Sequence, residues 1–166
     1  VNIAPDATRL ADIAQATADF VERLGIEPRV AMLSFSNFGE TRHAHSDTVA
    51  EAVRTLQARD PNLMVDGEMQ VDTAVMESVL RERYPFSRLR RSANVLIFPD
   101  LNAANIAYKL LWRVGGAQAI GPILVGMARP VHVLQRGSDV SDIVNIAVIA
   151  AVDAQERLRQ SRGGSA

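Results

Sequence analysis

The chain has 166 residues, 18 basic and 19 acidic side chains, a formal net charge of −1, and no cysteine. That length suits one domain whose core needs no covalent staples, because a chain of this size buries about 70% of the surface it exposes when unfolded. The charge balance and the 5% aromatic content argue against nucleic acid and against an electrostatic membrane partner. The missing cysteines exclude disulfides, thiolate nucleophiles and thiolate metal sites, and fit a cytoplasmic location. The longest apolar runs, 94–98 and 119–125, are too short to span a bilayer. Val1-Asn2-Ile3-Ala4-Pro5 has no basic region, apolar stretch or initiator methionine, so more protein is expected upstream.

In chain order, Pro5 and Asp6 supply a helix start, and Leu10, Ile13, Thr17, Phe20, Val21 and Leu24 follow helical spacing up to Gly25. Arg29 to Phe35 is short and nearly continuously apolar, the pattern of a strand buried on both faces. A polar loop, Ser36 to Ser46, precedes a helix carrying Val49, Ala52, Val53 and Leu56, closed near Asp60-Pro61. Leu63 to Asp66 is a predicted strand broken by Gly67, and Thr73 to Arg83 a predicted helix. After a basic loop, Tyr84 to Ser92, the clearest strand is Asn94 to Phe98. Pro99 to Ala103 leads into a helix with Ile106, Leu110, Leu111 and Val114, stopped at Gly115-Gly116. Ala119 to Val125 and Val131 to Leu134 are predicted strands. A last helix starts near Ser138 to Asp142 and carries Ile143, Ile146, Ala147, Ala150 and Leu158, and residues 159–166 are expected to form a disordered tail. Strands alternating with helices predict an α/β fold with a mainly parallel sheet, in which ligands gather at the carboxyl ends of the strands.

Three strand-end loops, Ser34 to Gly39, Asp66 to Gln70 and Pro99 to Asn105, offer small polar groups there. Each alone reads as ordinary turn chemistry; three together suggest a polar rim. A fourth junction runs from Gln135 to Asp142. Ser138 or Asp139 can cap the helix, whose N-terminus attracts an anion, and Arg136 adds a planar, permanently charged clamp for phosphate. A surface ion pair of Arg136 with Asp139 or Asp142 is the open alternative. His43 and His45 lack a third ligand, and Asp66, Glu68 and Asp72 are expected to order their loop, so no metal site is assigned. Arg88, Arg90 and Arg91 read as a solvated basic loop.

Pro28-Arg-Val-Ala-Met-Leu-Ser-Phe-Ser-Asn-Phe-Gly39, Asp66-Gly-Glu-Met-Gln70, Asn94-Val-Leu-Ile-Phe-Pro-Asp-Leu-Asn102, Ala104-Asn-Ile-Ala-Tyr-Lys109 and Ile120-Gly-Pro-Ile-Leu-Val-Gly126 occur in one order. The series, from about Leu10 to Gln155, resembles the phosphate acetyl/butyryltransferase family. Ser36-Asn-Phe-Gly39 and Tyr84-Pro-Phe-Ser-Arg-Leu89 look closest to the branch fused behind the catalytic domains of bacterial NADP-dependent malic enzymes; free-standing transferases tend to carry a Ser-Thr-Lys-Gly type loop. The resemblance implies a three-layer α/β/α, isocitrate-dehydrogenase-like fold, about half of a two-subdomain unit. Residues 1–27 would be a leading helix, 28–129 the second subdomain, and 130–158 a returning strand and helix of the first. It implies a homodimer or higher homo-oligomer.

In active members a Ser-Arg-Gly stretch and a following Asp lie at the cleft. The aspartate takes the thiol proton of coenzyme A, and the thiolate attacks the carbonyl of acetyl phosphate. Arg136, Gly137 and Asp142 match that pattern, while Gln135 stands at the serine position. The implied catalytic positions are Arg136 and Asp142, and the implied ligand-binding residues are Ser36, Asn37, Gly39, Asn102, Asn105, Gln135, Arg136 and Gly137. The implied role is sensing of acyl-CoA, with acetyl-CoA as effector. NADP and Mg or Mn would belong to malic-enzyme domains outside this sequence. A working acyltransferase and an oligomerisation scaffold are the alternatives.

Overall fold

The computed structural model describes residues 2–134 and 136–163. Helix α1 (Ala7–Arg23) starts where Asp6, in extended conformation, accepts the Arg9 amide at 2.8 Å. Its stripe of Leu10, Ala11, Ala14 and Ala18 is buried. Strands β1 (Arg29–Leu33), β2 (Met64–Met69) and β3 (Val95–Ile97) form one parallel sheet in the order β2-β1-β3. Along the central β1, Val30 and Met32 face α1 and α2 (Ala44–Arg59), packing with Leu10, Val49, Val53 and Leu56. Ala31 and Leu33 face the other way, toward α3 (Val71–Val75) and α4 (Glu77–Arg83), packing with Ala74, Leu80 and Leu89. Both faces of β1 are covered, which is why its sequence is apolar without alternation. The predicted three-layer α/β/α arrangement with a parallel sheet is therefore the observed one.

Helix α5 (Leu101–Arg113) follows β3 and is capped by Asp100, whose Oδ1 accepts the Ala103 amide at 2.8 Å. Helix α6 (Val140–Gly163) returns to α1. Ile146 is buried, and the Asp153 carboxylate, 2% exposed, receives Arg23 Nε at 2.5 Å and Arg157 Nε at 3.1 Å. Elsewhere each of these two helices has an uncovered apolar side: Ile106, Leu110 and Leu111 of α5, Val114 just past its end, and Val140, Val144, Val148 and Leu158 of α6 are all more than half exposed.

Five details depart from expectation. Helix α2 starts earlier than its apolar residues indicate, because His43 caps it: His43 Nδ1 accepts the His45 amide, and Ser46 Oγ accepts the His43 amide. Strand β2 runs through Gly67 rather than ending there. At φ +140°, with a hypothetical Cβ 2.6 Å from Met32 O, Gly67 lets the two backbones approach, and the register shifts beside it. The predicted helix 73–83 is broken at Met76. There the Ala74 and Val75 carbonyls are taken by the Ala93 amide (2.8 Å) and Ser92 Oγ (3.0 Å), which diverts the helical ladder.

Residues 119–125 and 131–134 are not strands. Val131, Val133 and Leu134 are largely exposed, and a strand needs a neighbour for its amides and carbonyls, which the described residues do not provide here. The last helix continues past Leu158 to Gly163, drawn on by the Arg159–Glu156 pair (3.0 Å) and the Ser161 bond to Leu158 O (2.9 Å), so the disordered tail expected from 159 is replaced by helix as far as 163. Residues 164–166 of that expected tail lie outside the described residues, as does Gln135.

Candidate functional site

The strand-end loops after β1 and β2 are bound to each other. Glu68, 3% exposed, accepts from Ser36 Oγ at 3.1 Å and from the Gly39 amide at 2.5 Å. Asn37 Oδ1 accepts the Gln70 amide at 2.8 Å, and Gln70 Nε2 donates to Phe35 O at 2.7 Å. Ser36 and Asn37 are buried. Gly39 has φ +85° directly after Phe38 at φ +46°, a left-handed pair that turns the chain back toward Glu68. Asp66 does the same work for the basic loop, accepting from Ser87 Oγ (2.8 Å) and the Arg88 amide (2.7 Å). Glu40 receives the Tyr84 hydroxyl at 2.7 Å, and that bond, with burial, raises the phenol above its ordinary pKa.

Glu68→Ala removes the acceptor of two donors in a buried loop. It is expected to cost about 2 kcal/mol in urea unfolding and to speed hydrogen exchange at the Gly39 amide. Unchanged exchange there would show the loop to be held by other bonds.

Two hollows lie near the predicted loops. The first, about 520 Å³, sits at the carboxyl ends of β1 and β3, where Ser34 and Phe35 meet Pro99 and Asp100 under His45 and Thr48. In a sheet ordered 2-1-3 this is where the strand order reverses, the usual place for a ligand crevice. The second, about 460 Å³, opens between α5 and the start of α6, and is lined by Arg136, Gly137 and Asp142 together with Lys109, Trp112 and Arg113.

At its floor the α6 N-terminus is closed by a reciprocal box. Asp139 Oδ1 accepts the Asp142 amide (2.9 Å) and Ser141 Oγ (2.7 Å), and Asp142 Oδ2 accepts the Asp139 amide (3.1 Å). The Asp142 amide first, then the Ser141 hydroxyl, holds the Asp139 carboxyl below its ordinary pKa. Arg136 makes no ion pair with a described residue, so the expected alternative pairing with Asp139 or Asp142 does not form.

Of the residues singled out from sequence, the fold brings Arg136, Gly137 and Asp142 into one cleft. Ser36, Asn37 and Gly39 are at the β1 end, spent largely on the chain's own bonds. Asn102 and Asn105 are exposed on α5 and line neither hollow. Among the described residues no three His, Asp or Glu side chains gather as a metal would require, and no helix is long and apolar enough to cross a membrane.

The family model described as phosphate acetyl/butaryl transferase matches residues 1–151. The chain belongs to the phosphate acetyl/butaryl transferase family. It is 44% identical over 154 residues to the phosphate acetyltransferase of Bacillus subtilis (strain 168), covering 93% of this chain and 48% of that protein. It is 46% identical over 157 residues to the NADP-dependent malic enzyme of Escherichia coli (strain K12), covering 93% of this chain and 21% of that one.

Among solved structures, a phosphotransacetylase from Streptococcus pyogenes superposes with a TM-score of 0.88 at 42% identity, covering 94% of this chain and 47% of that one. The EutD phosphotransacetylase from Staphylococcus aureus gives 0.87 at 39%, covering 93% and 48%. The chain thus spans about half the length of the Bacillus subtilis transferase and about a fifth of the Escherichia coli malic enzyme. In this member of the family, sequence reading missed the α5 wall of the second hollow. Its signal was available: Lys109 and Arg113 lie four residues apart on one helix face.

Proposed function

We propose that this chain is an acyl-CoA-sensing part of a protein of the malic-enzyme type, holding acetyl-CoA as an effector without transferring its acyl group. One side chain carries the reading. Gln135 stands where the resemblance places the reactive serine, while Arg136 beside it keeps its charge uncompensated. Arg136 can bind a phosphate group, since anion binding tolerates looser geometry than proton transfer. Removing one positioned donor typically lowers a rate by about 10²–10³. Asp142, the matching base, has one oxygen committed to the Asp139 amide. Binding that differs between two states of an assembly then shifts activity elsewhere.

In this reading the uncovered apolar sides of α5 and α6 pack against the half of the family unit that this chain lacks, and residues 119–125 and 131–134 find strand partners there. Copies associate through the 28–129 portion. NADP and Mg or Mn serve malate oxidation in other domains. A working acyltransferase is the second reading, favoured by the joint presence of Arg136, Gly137 and Asp142 in one cleft.

Calorimetry on the full-length protein is expected to give saturable acetyl-CoA binding, with phosphate-dependent cleavage of acetyl-CoA at background. Robust turnover would overturn sensing in favour of transfer, and absence of binding would overturn both. Gln135→Ser is expected to raise phosphate-dependent cleavage by about 10²-fold.

A further inference from the structure

Two histidines stand together at the start of α2, and one of them serves as the helix cap. His43 Nδ1 accepts the His45 amide at 3.2 Å, a bond that exists only while that nitrogen carries no proton. The usual caps, Ser, Thr, Asp and Asn, keep an acceptor at any pH near neutral. An imidazole does not. It changes charge between about pH 5 and 8, and in the protonated ring both nitrogens are donors.

The cap is tied to the strand ends by a run of hydrogen bonds. Ser46 Oγ accepts the His43 amide (3.1 Å) and donates to Thr41 O (2.8 Å). The Thr41 amide donates to Ser36 Oγ (3.0 Å), which donates in turn to the buried Glu68 (3.1 Å). The His43 ring also meets Phe35 edge-on, with centroids 5.9 Å apart, and His45 at 5.0 Å. Phe35 and His45 both line the hollow of about 520 Å³ at the ends of β1 and β3. A change at His43 therefore reaches one wall of that hollow.

The charged groups around the ring do not replace its lone pair. Arg42 precedes it in the loop, and His45 and Asp47 follow it in the first turn of α2. Glu40 receives the Tyr84 hydroxyl, Glu68 receives Ser36 and the Gly39 amide, and Asp100 receives the Ala103 amide. None of these carboxylates forms an ion pair with His43 or His45. An acid beside a protonated ring can attract its charge but cannot return the acceptor that the His45 amide uses. The added charge would also face the positive end of α2.

We infer that His43 is a protonation-sensitive latch on the loop from Ser36 to Ser46. Neutral, it caps α2 and keeps Phe35 and His45 in place along the hollow. Protonated, it gives up the cap and loosens that wall. The latch is therefore closed above the range in which imidazole titrates and opens as pH falls through it.

His43 and His45 are both exposed, so replacing either leaves the core intact. The test is hydrogen exchange, read as protection factors at the amides of position 45 and Thr41 from about pH 8 to about pH 5.5, on the wild-type protein, His43→Asn and His45→Gln. Wild-type protection is expected to fall about tenfold over that range, with the Phe35 ring protons shifting at the same midpoint. His45→Gln is expected to fall likewise, and His43→Asn to stay level, because its side-chain oxygen accepts throughout. An equal fall in His43→Asn overturns the latch, as does a level profile in the wild type. A level profile in His45→Gln overturns it in favour of the second histidine.

Discussion

Asp153→Ala is expected to lower the free energy of unfolding by about 3–5 kcal/mol in a urea titration. The size comes from what is left behind, not from the strength of the pair itself. The Arg23 side chain is only 11% exposed and would lose its acid 2.5 Å away, while Arg157, at 28%, can turn toward water. Burial opposes the charge on Asp153, but hydrogen bonds and charge from Arg23 and Arg157 outweigh it and hold the carboxyl below its ordinary pKa. A carboxyl depressed in the folded protein stabilises fully above its unfolded pKa, and that stability is lost as pH falls through the lower folded value. The wild-type protein should therefore lose stability below about pH 4 more steeply than Asp153→Ala. A loss of under about 1 kcal/mol would show that α6 is held to α1 by other contacts.

Gly67→Ala is expected to cost a similar amount, about 3–5 kcal/mol, by a different route. A side chain at φ +140° is strained whatever the space around it, and here the added carbon would also lie 2.6 Å from Met32 O and 3.1 Å from Met32 Cβ. Met32 is fully buried in the central strand and packed against α1 and α2, so it cannot retreat without disturbing the larger core. Gly25→Ala is the matched comparison. Its φ is +77° with nothing within 4 Å, so only the left-handed penalty of about 1 kcal/mol applies. Equal losses at the two positions would show that the close approach of β1 and β2 is not what requires glycine.

Much of the fold could be read from local pattern because the signals there are self-contained. Asp6 and Asp100 cap the helices they precede, and the apolar run of β1 reflects burial on two faces. The misreadings arose where a distant group decides the local outcome. Nothing near Met76 announces that Ala93 and Ser92 will take two carbonyls from its helix. Residues 131–134 have strand composition, but strand formation depends on a neighbour that composition cannot supply. At the site, Arg136, Gly137 and Asp142 were legible because they are close in sequence, whereas the wall carrying Lys109 reaches them only through the packing of α5. Ser36 and Asn37 illustrate the converse: small polar residues at a strand end looked available, and the fold turns them inward onto Glu68 and Gln70.

The bond between Arg23 and Asp153 joins positions 130 residues apart. A ribosome adding roughly 5–20 residues per second needs on the order of 10 s to deliver the second after the first. During that interval the sheet, α1 and α2 can already assemble, with Arg23 hydrated at the edge of a finished core. The closing contact thus becomes possible only after the sheet, α1 and α2 have emerged, and its loss should spare that early assembly while loosening the docking of α6 onto α1.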